Sequence, residues 1–379
     1  MSPQMNTGPK TGKGRVYNTS PLPFEEIKPK ELAHLENLDW VQKMKACPQD
    51  PEWHAEGDVW THTKMVLGAL VSFDEYQKLN ETQKKVLSIA TLLHDISKPE
   101  YTKVEEGRII SPKHAKIGEH RVRELLWDFP IAYREEIAAL VRLHGFPIWA
   151  IDKKQVHKLI LKHALRIDLH LLYLLAKADV IGRIGSRQQE MLDRIEYFKE
   201  LAEEMNCYRQ QPQFYNDHSR FKYFQGEDDY PSSIYDDTAF NITLLCGIAG
   251  SGKDTYTNTL DVPIVSLDTI REKLGIPHQD KKGQGKVIQQ ALEEAKQYCR
   301  KKQSFIWNAT SLTQEQRAKI KQLALTYGGQ LHMVYVESDM DSIVSRRKDE
   351  IPADKLYQMR RRLEMPTLDE AYSIIYLRN

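Results

Sequence analysis

One stretch constrains this chain more than any other: Gly247-Ile248-Ala249-Gly250-Ser251-Gly252-Lys253-Asp254-Thr255. An apolar run, Ile242-Thr-Leu-Leu-Cys246, precedes it and reads as a buried strand, while Thr255 to Leu260 reads as the first turns of a helix. Strand, glycine-rich turn and helix together make a phosphate cradle. The glycines let backbone N–H groups converge on an anion, and the helix N-terminus adds its positive end. Gly247, Gly250, Ser251 and Gly252 form the turn, and Lys253 reaches for the outer phosphates of a nucleoside triphosphate. The pattern asks for Ser or Thr after the lysine to hold Mg²⁺; here Asp254 stands there, with Thr255 next. The second half of the chain is therefore expected to bind ATP or another NTP through a P-loop.

The 379 residues suffice for two domains, each with its own core. Lys plus Arg (54) and Asp plus Glu (53) nearly cancel, so a nucleic-acid partner has to be argued from local clusters. Cys47, Cys207, Cys246 and Cys299 are scattered without a C-x-x-C, against a disulfide framework or zinc knuckle and in keeping with a cytoplasmic protein. No apolar run reaches membrane-spanning length. Residues 1–22 read as a disordered tail and 23–210 as an all-α domain. Residues 211–238 read as an aromatic-rich linker that packs on one or both domains. In 239–379, apolar runs alternating with helical ones predict an α/β domain with a parallel sheet.

In the helical half, histidines and carboxylates gather at helix ends: His62, the pair His94-Asp95, His114, His144 and Asp179. Imidazole with carboxylate is the ligand set of Zn, Mn, Fe, Co or Ni rather than Ca. Successive helical residues diverge by about 100°, so an adjacent His-Asp pair can face two ions at once. Singly, each would be an ordinary core or surface residue; the order carries the signal. It resembles the HD phosphohydrolase superfamily over roughly His54 to Asp179. Leu92-Leu-His-Asp-Ile-Ser-Lys98 and His114-Ala-Lys-Ile-Gly118 are its most similar segments. The resemblance implies one metal on His62, His94, Asp95 and Asp179, and a second on Asp95, His114 and His144. Lys98 would meet a phosphate oxygen, with Arg183 a weaker candidate for that task. His120, His157, His163 and His170 fit no slot and are left structural.

In the second half, Asp268 at the expected end of a strand (262–268) can take a proton from an attacking hydroxyl, and Arg271 can fork a substrate phosphate. The alternative for Asp268 is a helix cap. Arg346 and Arg347, in Ser345-Arg-Arg-Lys before Asp349-Glu-Ile-Pro352, read as a lid over the transferring phosphoryl group. This order, with Trp307-Asn-Ala-Thr-Ser and Leu363-Glu-Met-Pro366, resembles the kinase domain of the polynucleotide kinase family. The resemblance makes Asp268 the general base on a 5′-hydroxyl and puts Arg271 on the neighbouring phosphate. Asp254 departs from it, leaving Mg²⁺ to that carboxylate through water or to Thr255. The lid is also short, so either Arg346 or Arg347 can serve.

Both halves together resemble the bacterial HD-Pnk end-healing enzymes. That implies removal of 2′,3′-cyclic, 2′- or 3′-phosphate from one RNA end and phosphorylation of the 5′-OH of another polynucleotide end, with RNA or DNA ends as substrate and an RNA ligase as a possible functional partner. Two alternatives stand beside it: an HD nucleotidase fused to a kinase for a small nucleoside or cofactor, and an HD hydrolase regulated by a non-catalytic NTP-binding domain.

Overall fold

The computed structural model describes residues 22–226, 230, 232–258 and 260–379. The expected tail at 1–22 lies outside these except for Leu22, which is buried.

The first half is helical and the second is built on a parallel sheet, as the sequence predicts. The helical half owes its site to a few amphipathic or wholly buried helices. Asn80 opens the helix Glu81–Leu93 with a capping box to Gln83; an N-cap of this kind stabilises a helix by about 1 kcal/mol. From Val86 to Leu93 every residue of that helix is buried, so the residues that follow are delivered into the core. Val59–Ser72 is capped by Asp58, and Leu169–Ile181 is apolar on nearly all faces. These last two cross closely at Gly182, where a Cβ would come within 2.7 Å of the Val66 backbone. Any larger residue there would push Asp179 away from His62.

Two strands sit among these helices, β1 (Lys103–Glu105) and β2 (Arg108–Ile110), paired antiparallel. No alternating pattern in the sequence foretells them. They are three residues each, and the hairpin rests on Glu106 and Gly107, both at positive φ. Near the start of this half lie a 3₁₀ turn (Pro29–Leu35) and the helix Asp39–Lys45.

The second half holds five parallel strands in the order β4 (Ile264–Ser266), β5 (Phe305–Asn308), β3 (Phe240–Cys246), β6 (Gly329–Glu337) and β7 (Ser373–Arg378). β3 and β5 are almost wholly buried, as central parallel strands require. The edge strand β7 was not foreseen; its Ile375 and Tyr376 stay exposed and blur the pattern. The strand read over 262–268 ends at Ser266, because Ser266 caps a helix, Leu267–Lys273, by accepting from the Thr269 N–H.

The two halves meet through buried groups. Trp127, from the helical half, belongs to the apolar core of the sheet domain, and its indole N–H donates to the Ser338 carbonyl at 3.1 Å. The segment 211–238 contains a helix, Asp217–Gln225. Phe214, Tyr223 and Phe224 pack together on the helical half, while Arg220 donates to the carbonyls of Leu368, Ala371 and Tyr372 in the other.

Candidate active sites

His94 and Asp95 leave the helix Glu81–Leu93 into the core and are each 1% exposed. His62 comes from the first turns of Val59–Ser72 and Asp179 from the last of Leu169–Ile181; both are buried. His114 opens the helix His114–Leu125, and His144 follows the helix Ile131–Leu143. All six residues converge.

The ring orientations share one device. Nδ1 of His94 lies 2.7 Å from the Thr91 carbonyl, Nδ1 of His114 2.8 Å from that of Ser111, and Nδ1 of His144 2.8 Å from that of Val141. A carbonyl only accepts, so each Nδ1 carries a proton and each Nε2 turns its lone pair inward. Asp95 faces both groups of rings with one oxygen apiece. Its Oδ2 is 3.3 Å from His94 Nε2 and 4.0 Å from His62 Nε2; its Oδ1 is 3.5 Å from His114 Nε2 and 4.0 Å from His144 Nε2. Asp179 Oδ1 lies 2.9 Å from His62 Nε2 and 3.9 Å from His94 Nε2.

These residues fit divalent metal ions. His62, His94 and Asp95 can aim one ligand atom each at a common point, and so can Asp95, His114 and His144. His94 Nε2 and Asp95 Oδ1 are buried without a hydrogen-bond partner among the described residues. The Nε2 atoms of His114 and His144 stand 3.4 Å apart, lone pair toward lone pair, which asks for a cation between them. The electrostatics agree. Burial opposes a charge on Asp95, but Lys98 at 2.7 Å, with His94, outweighs it and holds the carboxyl well below its usual range. Burial, reinforced by the His94 ring, pushes His144 down to about 3, and burial also lowers His114, so both are neutral and free to ligate. Burial likewise opposes charge on His94, yet Asp95 and Asp179 raise its pKa. The two carboxylates thus call for positive charge at that point, whether proton or metal.

Two partners here carry no signal in the sequence reading. Glu56 Oε1 lies 2.8 Å from His54 Nδ1 and 2.8 Å from His62 Nδ1, with its side chain 1% exposed. A buried carboxylate behind a ligand histidine fixes its ring and strengthens it as a donor. The spacing His54-x-Glu56-x₅-His62 could have flagged the pair, had second partners been sought for each ligand. Lys98 also contacts Gln49 Oε1 at 2.7 Å, and Arg183 pairs with Asp179; both cations line a cavity of ≈ 280 Å³ over the cluster. His120, His157, His163 and His170 are not among its lining residues.

The second site follows β3. Gly247 has φ +152°, and a Cβ there would lie 2.3 Å from the Val336 carbonyl oxygen, so the loop can leave β3 only through glycine. Gly252 caps the short helix Lys253–Thr257. Lys253 is buried, its Nζ donating to the carbonyls of Gly247 (3.0 Å) and Ile248 (2.9 Å), and burial pushes its pKa down to about 8. Asp254 is exposed and accepts from Asn308 Nδ2 at the end of β5, at 2.8 Å; Thr255 beside it is exposed too.

Arg346 and Arg347, expected to form a lid, both reach this loop, in different ways. Arg346 donates to the Gly250 carbonyl (3.1 Å) and to Ser338 Oγ (3.0 Å), while the stem of Arg347 packs on Gly250 and its head pairs with Glu350. Ser338 Oγ in turn donates to the Ser251 carbonyl at 3.1 Å. Asp268 differs from expectation in place: it lies in the first turn of the helix Leu267–Lys273 rather than on a strand, with its side chain 66% exposed. It pairs with Arg271, which also donates to Gln284 at 3.1 Å. Ser266, not Asp268, caps that helix.

The comparisons divide the chain in the same way. Residues 59–184 match the family described as HD domain, and residues 242–366 match one described as AAA domain. No curated protein matches. Among solved structures, a candidate kinase from Chloroflexus aurantiacus J-10-fl is 19% identical, with 38% of this chain and 86% of that chain covered at a TM-score of 0.33. A gluconokinase from Sinorhizobium meliloti 1021 is 15% identical, with 37% and 83% covered at a TM-score of 0.27. An HD phosphohydrolase domain is thus fused to a P-loop kinase-like domain. No described helix is long and apolar enough to cross a membrane.

Proposed function

We propose that the protein heals broken nucleic-acid ends at two sites. The HD domain hydrolyses 2′,3′-cyclic, 2′- or 3′-phosphate ends, and the kinase domain transfers the γ-phosphate of an NTP to a 5′-OH. The observation that carries the first half is the single Asp95 carboxylate facing two histidine groups, one oxygen to each, with Lys98 on its flank. Two divalent ions held there would lower the pKa of a water and neutralise charge on attacking and leaving oxygens of a phosphoester. His62, His94, Asp95, Asp179, His114 and His144 are the ligands in this reading, while Lys98 and Arg183 bind the phosphate.

In the kinase half, Lys253 and one of Arg346 and Arg347 bind the transferring phosphoryl group, and Asp254, oriented by Asn308, holds Mg²⁺ through water. Asp268 accepts the proton of the acceptor hydroxyl. Its exposure suits a base that must reach a solvent-borne polymer end, and Arg271 beside it suits a phosphate next to that hydroxyl. An acceptor panel tests this reading: adenosine, adenosine 3′-monophosphate and a 5′-OH oligonucleotide. The phosphate-bearing acceptors should be preferred at least tenfold, and Arg271→Ala should remove that preference. Equal use of adenosine would instead support a small-molecule kinase. A ligase that seals the healed ends is the partner this activity implies.

A further inference from the structure

The cavity over the metal cluster has a mixed lining. Its lining is of two chemical kinds: the charged Asp95, Asp179, Lys98 and Arg183, and the apolar Trp53, Ile109, Ile148, Trp149 and Met191. Phosphoester hydrolysis needs only the first. The second kind includes two indoles, and that of Trp149 remains 47% exposed. Its place is tied to the metal cluster, because it ends the short helix Phe146–Trp149 directly after His144. Each indole is backed by a cation: the Arg194 guanidinium lies 5.6 Å from the Trp149 ring centroid, and that of Arg187 5.6 Å from Trp53. Arg194 is itself held by Asp152 at 2.8 Å and contacts the Ile148 carbonyl at 3.4 Å. A cation on one face of an indole fixes the ring and leaves its remaining surface for another flat partner.

We propose that Trp149, which shares the cavity lining with Trp53, stacks the nucleobase of the terminal nucleotide whose phosphate lies against Lys98 and Arg183. The HD site thereby takes nucleotides and nucleic-acid ends and discriminates against phosphoesters that lack a base. This rests on the phosphoesterase reading above and names its substrate class. Base–aromatic stacking is sequence-tolerant, since every base offers a flat face, and is worth roughly ten- to hundredfold in binding. At ≈ 280 Å³ and open to solvent, the cavity suits one nucleotide, with the remaining chain leaving through the mouth.

The test compares adenosine 2′,3′-cyclic monophosphate with glycerol 1,2-cyclic phosphate, which keeps the five-membered cyclic phosphodiester and has no base. With Mn²⁺-loaded enzyme, Trp149→Ala should lower the ratio of kcat/KM values, nucleotide over glycerol ester, about tenfold, chiefly through KM. Trp149→Phe should restore most of it. In parallel, adenosine 3′-monophosphate should quench indole fluorescence of the metal-free wild type, and the Trp149→Phe variant should lose that component. An unchanged ratio in a Trp149→Ala protein of wild-type melting temperature would overturn the stacking role and leave the phosphoesterase reading standing. Should the wild type hydrolyse neither ester, the phosphoesterase reading falls, and the fluorescence titration alone decides on the base site.

Discussion

Arg134 and Glu337 form a two-pronged ion pair between the halves of the molecule, Nη1 to Oε1 at 3.1 Å and Nη2 to Oε2 at 2.8 Å, with side chains 0% and 1% exposed. Arg134 lies near the start of the helix that delivers His144, and Glu337 ends the strand whose next residue, Ser338, contacts the phosphate loop. Tyr335 completes the site by donating to Glu337 Oε2 at 2.9 Å. Removing one partner of such a pair strands a buried charge, at a cost of about 3–5 kcal/mol. Arg134→Ala should lower the stability read from urea denaturation by that amount. The double variant Arg134→Met/Glu337→Leu, which removes both charges of the pair but also takes partners from Glu135, Arg378 and the Tyr335 hydroxyl, should recover part of it.

Asn308 holds Asp254 from the end of β5. A hydrogen bond to a charged group contributes about 1.5–3 kcal/mol. If Asp254 acts on Mg²⁺, Asn308→Ala should raise the Mg²⁺ concentration needed for half-maximal kinase activity about tenfold. Steady-state rates against Mg²⁺ at saturating NTP measure this. An unchanged Mg²⁺ dependence would assign the ion elsewhere.

Lys253 carries a pH signature. Burial pushes it down to about 8, so the ligand-free lysine loses its proton as pH rises through that value. Phosphate oxygens bind the charged form and restore the proton. NTP binding should therefore take up a proton and weaken above pH 8, while staying level well below it. Calorimetric titrations in two buffers of different ionisation enthalpy read both effects.

Glu56 backs His62 from outside the proposed ligand set. Losing such a partner costs about 10–100-fold in metal affinity. Glu56→Gln should weaken Mn²⁺ binding by roughly tenfold in titration calorimetry. Asp95→Asn should lower the bound metal per chain, measured by elemental analysis, further than any single histidine substitution.

Much of this was legible in the sequence because it is local. Helical periodicity predicts the helices that end at His94 and His144, and the glycine spacing predicts the strand–loop–helix around Lys253. What was not legible depends on contacts made far along the chain. Glu56 lies within six residues of His54 and His62, but Asp179 reaches the other side of His62 only when the helix Leu169–Ile181 packs on Val59–Ser72. Asn308 and Asp254 are neighbours only because β5 pairs with β3. Asp268 was read as ending a strand because Val-Ser-Leu continues the apolar run, yet the Ser266 cap turns the chain into a helix first. Nothing in the sequence around Trp127 says that it completes the other domain's core.

The most direct test of two separate end-healing sites uses one short RNA bearing a 5′-OH and a 2′,3′-cyclic phosphate, incubated with γ-labelled ATP, Mg²⁺ and Mn²⁺. Wild type should label the 5′ end and open the cyclic end. Asp268→Ala should lose the labelling and keep the opening, and Asp95→Ala should do the reverse. Failure of the ATP-binding wild type to transfer label to the RNA would contradict the account.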